Sequence, residues 1–192
     1  EKIVFHGNNK SDKELEFAVR NNIKVIVDND YDLERLDEIS NSFNKDLEIM
    51  IRFTPGIECH THEYIRTGSF DSKFGFGIEY LDILFNRISN TKYLKLTGLH
   101  AHIGSQIFEL DPHKDLGEIM VRVILDAKKY GHNIEELNVG GGLGIKYTKS
   151  DDPPSIDEWV KTISFSVVKA CEKNNLDFPT LMCEPGLSLI HI

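Results

Sequence analysis

Apolar and polar positions along the 192-residue chain follow two periods. Short apolar runs at 2–5, 24–27, 48–53, 94–103, 136–139 and 180–183 are too brief for helices and read as six strands. Between them the apolar residues recur at three- and four-residue spacing. Leu15, Ala18 and Val19, with Asn22, lie along one stripe of a first helix; Leu33, Leu36 and Ile39 mark a second. Pro55 and Gly56 stop the third strand, and a long glycine-containing loop runs through Phe74-Gly75-Phe76-Gly77 to a helix of about twelve residues from Ile78. Helix starts are marked chemically. Ser11 with Glu14 and Ser155 with Glu158 have capping-box spacing, the second opening a helix that continues through Ala170. Pro112 stands where a first helical turn tolerates it.

Strands alternating with helices predict an α/β protein built on a parallel sheet. A complete (β/α)8 barrel of the TIM type takes about 250 residues, or roughly 31 per unit, so this length holds about six units. The pattern therefore predicts an incomplete barrel with about six of eight strands, a doubly wound sheet being the alternative. No linker or low-complexity segment divides the chain, so residues 1–192 read as one partial barrel domain.

Composition narrows the partners. The net charge of −9 argues against nucleic acid or an anionic membrane surface, and no apolar run approaches the roughly 20 residues that span a bilayer. Cys59, Cys171 and Cys183 are odd in number and form no CxxC pair, which points to a reducing compartment, the cytoplasm by default. No signal-peptide pattern opens the chain, and Glu1 in place of an initiator methionine leads us to expect further sequence upstream.

Three stretches carry candidate chemistry. In Gly98-Leu99-His100-Ala101-His102-Ile103-Gly104-Ser105, strand alternation puts Leu99, Ala101 and Ile103 on one face and both histidines on the other. If the apolar face packs under helices, the histidines point into the barrel, His102 nearer the C-terminal mouth where barrel active sites lie. A hydrogen-bonded core pair would explain them too. A zinc site would need a third ligand that the HxH spacing does not supply. The second stretch is Asn138-Val139-Gly140-Gly141-Gly142-Leu143-Gly144, directly after a strand. Its glycines either form a plain turn or offer backbone N–H groups to a phosphate. It fits neither G-x-G-x-x-G nor a P-loop. The third is Cys183-Glu184-Pro185-Gly186, where a carboxylate follows a strand. Taken singly, such a glutamate is usually a solvated charge. An imidazole plate, an anion cradle and a carboxylate around one opening complement pyridoxal phosphate.

The motifs VFHGNNKS, HTHEYIRTGSFDSKFGF, GLHAHIGSQIF, LNVGGGLGIKYT and CEPG, in this order over residues 3–186, resemble the barrel domain of the diaminopimelate decarboxylases, within the alanine-racemase-like pyridoxal-phosphate enzymes. The resemblance implies decarboxylation of meso-diaminopimelate to lysine, with a non-catalytic homologue or a related basic amino-acid decarboxylase as alternatives. By it His102 stacks on the pyridoxal ring and Ser105 binds the phosphate with Gly140, Gly141 and Gly142. Glu184, backed by Pro185 and Gly186, keeps the pyridine nitrogen protonated; His102 and Glu184 are the catalytic pair, and His100 merely fills the barrel. No metal is implied. The partners implied are a small amino-acid substrate and, in the full-length protein, a second copy of the chain. The family's Schiff-base lysine is expected upstream of Glu1 and its proton-donor cysteine in a β-domain downstream of Ile192. Lys73 and Lys146 do not match the lysine's motif. The chain alone is therefore expected to be inactive, and its first and last strands are expected not to pair. Leu187 stands where the family has a carboxylate-binding arginine, residues 187–192 depart from the family, and Thr54 and Cys59 are milder changes. A Gly141→Val change is expected to block the phosphate and leave the chemistry less affected.

Overall fold

In a computed structural model, residues 3–57 and 73–186 are described. The strands are β1 (Val4–Phe5), β2 (Lys24–Val27), β3 (Leu47–Thr54), β4 (Phe76–Gly77), β5 (Leu94–Ala101), β6 (Glu136–Asn138) and β7 (Thr180–Met182). The helices are α1 (Asp12–Asn21), α2 (Asp30–Phe43), α3 (Leu81–Ser89), α4 (Asp111–Lys129) and α5 (Ile156–Asn174). Both capping boxes form: Ser11 and Ser155 accept from the Glu14 and Glu158 backbone, and each glutamate reaches back to its cap. The proline lies in the first turn of α4. The helix expected from Ile78 begins as a 3-10 turn, Ile78–Tyr80, before α3 takes over.

All strand pairs are parallel, and the main path runs β1-β2-β3-β5-β6-β7 in chain order. The sequence missed β4, a two-residue strand lying beside the end of β3. Two residues give a periodicity nothing to repeat. The strand order never reverses, which a doubly wound sheet requires. Laid flat, six strands about 4.8 Å apart would separate β1 from β7 by roughly 24 Å. Yet His6, just after β1, lies 2.9 Å from Glu184, just after β7. Lys24 on β2 likewise reaches Glu136 on β6 at 2.5 Å and Glu48 on β3 at 2.9 Å. The sheet is curled into an open barrel wall. Among the described residues β1 and β7 each pair on one side only, as expected of the first and last strands.

The convex face carries the helices. Leu99, Ala101 and Ile103 join the apolar core with Leu116, Met120 and Val121 of α4 and Leu84 and Phe85 of α3. The concave face is polar at both ends. Lys24, Glu48 and Glu136 form its floor, where carboxylate partners outweigh burial and raise the lysine's pKa. The other end, at the C-termini of the strands, is the mouth.

Candidate cofactor site

Each of the six strands of the main path delivers a polar side chain to the mouth. His6 follows β1, Asp28 follows β2, Arg52 lies near the end of β3, His100 lies at the end of β5 and His102 just past it, Asn138 ends β6 and Glu184 follows β7. Asp28 accepts from Arg52 Nη1 at 3.0 Å, so the guanidinium is held against the wall. Beside it Lys10 and Asp32 form a buried pair at 2.6 Å, and the lysine also donates to the Gly7 carbonyl. That pair pins the turn carrying His6.

Glu184 sits at the centre. Its Oε1 accepts from Asn138 Nδ2 at 2.7 Å, and its Oε2 lies 2.9 Å from His6 Nδ1. An ionised carboxylate can only accept, so His6 carries its proton on Nδ1. Partial burial opposes the charge. The His6 hydrogen bond, the neighbouring His100 and the Asn138 donor outweigh it and hold the carboxyl at about 2. The carboxylate is ionised at any physiological pH.

The histidines behave oppositely. His100 is wholly buried, meets His6 edge to face at 4.5 Å and has Nε2 3.6 Å from Glu184 Oε1. Burial, then the neighbouring His6, push its pKa well below the usual 6.5. His100 therefore lines the site wall beside Glu184, with neither ring nitrogen hydrogen-bonded among the described residues. His102 lies just past β5, which ends at Ala101, two residues earlier than its sequence pattern implies. Burial, reinforced by Arg52, lowers it to about 4. Its Nδ1 accepts the Gly141 N–H at 3.3 Å, leaving a neutral ring protonated on Nε2. A neutral flat ring suits a stacking plate.

The glycine run is packed tightly. A Cβ on Gly140 would lie 2.8 Å from the Ala101 oxygen and from His102 Nδ1, and φ is +66° there. One on Gly141 would lie 2.5 Å from the Glu184 backbone oxygen. The Gly140 N–H donates to Asn138 Oδ1 at 2.9 Å, and the Gly141 N–H to His102. Two of the three cradle N–H groups thus have partners within the chain, and an incoming phosphate must share or displace them. A valine at 141 would also strike the backbone of the residue that carries the carboxylate, besides facing the place expected for the phosphate. Ser105 is partly buried after β5, Pro185 is partly buried, and Gly186 is open.

His6, Asn138 and Arg52 escaped the sequence reading. A polar residue at or just past the end of a strand is their shared signal. His6, His100 and Glu184 also bring one ligand atom each within 4.8 Å of one another, a grouping that uses His100 but not His102 and so is not the HxH pair with a third ligand added. Both Glu184 oxygens are already hydrogen-bonded, whereas His6 Nε2 and both His100 nitrogens are buried without a hydrogen-bond partner among the described residues. Cys59, residues 60–72 of the HTHEYIRTGSFDSKFGF motif, Leu187 and the tail to Ile192 lie outside the described residues.

The profile described as "Pyridoxal-dependent decarboxylase, pyridoxal binding domain" matches residues 1–191. The chain belongs to the pyridoxal-dependent decarboxylase family. Within that family it is 54% identical to a diaminopimelate decarboxylase of Synechocystis over 99% of this chain and 40% of the relative. It is 36% identical to the Bacillus subtilis enzyme of the same name, covering 99% of this chain and 44% of that one. Among solved structures, diaminopimelate decarboxylase of M. jannaschii, in co-complex with L-lysine, superposes with a TM-score of 0.86 at 30% identity, over 97% of this chain and 43% of that one. The Helicobacter pylori enzyme complexed with L-lysine gives 0.85 at 29%, over 96% and 45%. The chain spans well under half the length of these relatives. No helix of the described residues is long and apolar enough to cross a membrane.

Proposed function

We propose that this member of the pyridoxal-dependent decarboxylases is the cofactor-holding part of a diaminopimelate decarboxylase, acting on meso-diaminopimelate and releasing lysine. The observation that carries the reading is Glu184, an ionised carboxylate held at the mouth between His6 and Asn138. It lies among a neutral imidazole, His102, and a run of glycines that any side chain would obstruct. Those residues fit pyridoxal phosphate.

When bound, the cofactor supplies a protonated ring that accepts the electron pair left by departing carbon dioxide. The chain's own residues would prepare that state. Glu184 holds a proton on the pyridine nitrogen, His102 supports the ring face, and Ser105 with Gly140, Gly141 and Gly142 takes the phosphate. Pro185 and Gly186 form the turn behind the carboxylate. Residues 1–192 are in this reading six of eight barrel strands, completed by strands before Glu1 and a β-domain after Ile192 in a homodimeric enzyme. A cytoplasmic location is supported by Cys171 and Cys183 being free.

In the full-length protein, carbon dioxide release from meso-diaminopimelate is expected, and Glu184→Gln should lower it by a hundredfold or more, as loss of about 3 kcal/mol of transition-state stabilisation does. Cofactor should still bind through its phosphate. Turnover by Glu184→Gln close to that of the parent would refute the role given to this carboxylate.

A further inference from the structure

We propose that Asn138 is a positioning residue that locks the Glu184 carboxylate to the first glycine of the loop, so that the two halves of the site are placed as one unit. The inference rests on the cofactor reading above for its purpose but on geometry for its substance. Three hydrogen bonds close a ring. Asn138 Nδ2 donates to Glu184 Oε1 at 2.7 Å, the Gly140 N–H donates to Asn138 Oδ1 at 2.9 Å, and the Glu184 N–H donates to the Gly140 carbonyl at 2.7 Å. The orientation of the amide is forced. A backbone N–H can only donate and an ionised carboxylate can only accept, so the oxygen must face Gly140 and the nitrogen Glu184.

Asn138 is 2% exposed, so neither bond is readily replaced by water. The tether is also needed where it lies. The β6–β7 ladder ends at Asn138 and Met182, with one more bond from the Val139 N–H to the Met182 carbonyl, and Glu184 is two residues further on. Beyond the ladder, the carboxylate is fixed by Asn138 on one oxygen and by His6 on the other. The remaining groups around it are His100 and His102 from β5 and its end, and the adjacent Cys183 thiol. None of these supplies a donor within hydrogen-bond reach of Oε1. An aspartate at 138 could still accept from Gly140 but would present a carboxylate to a carboxylate. Two such groups in contact cannot both ionise.

The test is a carbon-detected NMR titration of the Glu184 carboxyl in the 192-residue chain, followed only over the pH range in which the amide spectrum shows the chain folded. The resonance is assigned by its loss in E184Q, and a carboxylate still ionised at the lower limit is scored as a midpoint below it. Asn138→Asp should raise the Glu184 midpoint by at least about one pH unit, because a donor to the charged form is replaced by a like charge. Asn138→Ser, too short to reach Glu184, should raise it too and serves if the aspartate variant does not fold. A second arm uses deoxypyridoxine phosphate, a ring-and-phosphate probe without the aldehyde, read by its near-ultraviolet absorption. Asn138→Asp should weaken its binding roughly tenfold, the loss expected of one charge-assisted contact. Midpoints unchanged in both variants would overturn the proposal. A raised midpoint in a chain whose parent does not bind the probe would uphold the positioning role and overturn the cofactor reading instead.

Discussion

Gly141→Ala tests the close packing of β6 against β7 directly. Its φ lies outside the left-handed region, so alanine is not strained by the backbone itself, and the whole effect must come from the new methyl group. That carbon would stand 2.5 Å from the Glu184 carbonyl oxygen, against a normal carbon–oxygen contact of about 3.3 Å. The chain after β7 must retreat by roughly 0.8 Å. Overpacking of this kind costs about 2 kcal/mol. With a urea dependence of about 2.5 kcal/mol per molar for a domain this size, the midpoint should fall by about 0.8 M. Trp159, 2% exposed on α5, provides the fluorescence signal. Gly186→Ala is the control, since a Cβ there meets nothing within 4 Å, and its midpoint should match the parent or exceed it by up to about 0.4 M, the equivalent of about 1 kcal/mol. A Gly141→Ala midpoint equal to that of Gly186→Ala would refute the argument.

Acid should weaken the fold before it titrates the carboxylate. His113, packed edge-on against Trp159, is lowered by burial from the usual 6.5 to about 4, so on acidification the unfolded chain takes up the proton first. Stability is then full above pH 6.5 and falls toward pH 4, by about 3 kcal/mol for this residue. Urea midpoints across that range should show the fall, and His113→Phe should make it shallower by this residue's share, the buried His100 and His102 supplying the rest; a slope unchanged by His113→Phe would contradict the assignment. The Lys10–Asp32 pair, with side chains 1% and 2% exposed, should show strong coupling. Lys10→Met alone should cost about 3–5 kcal/mol by stranding a buried carboxylate, and adding Asp32→Leu should restore part of that loss, whereas simple additivity would count against a buried pair.

How legible this was depended on the size of each feature. Eight-residue strands such as β3 and β5, and helices opened by Ser11 and Ser155, repeat their pattern long enough to be read. Strand β4 does not. Of the site, Glu184 and His102 were legible because each follows an apolar run and carries distinctive chemistry. Asn138 looked like an ordinary residue between a strand and its glycines, and His6 like the residue after one, because their meaning lies in a partner on another strand. The glycines were read either as a plain turn or as N–H groups offered to a phosphate, and sequence cannot reveal that Asn138 and His102 already accept two of those N–H groups.

The bond between His6 and Glu184 joins residues 178 positions apart. Nothing local can form it early. Closing a loop of that length costs conformational entropy that only the finished wall repays, and chains dominated by such distant contacts fold slowly. The two ends of the described chain must therefore both be in place before the mouth exists. During synthesis the histidine at one end waits for the glutamate at the other, and the core of α1–α4 would be assembled around an unfinished site.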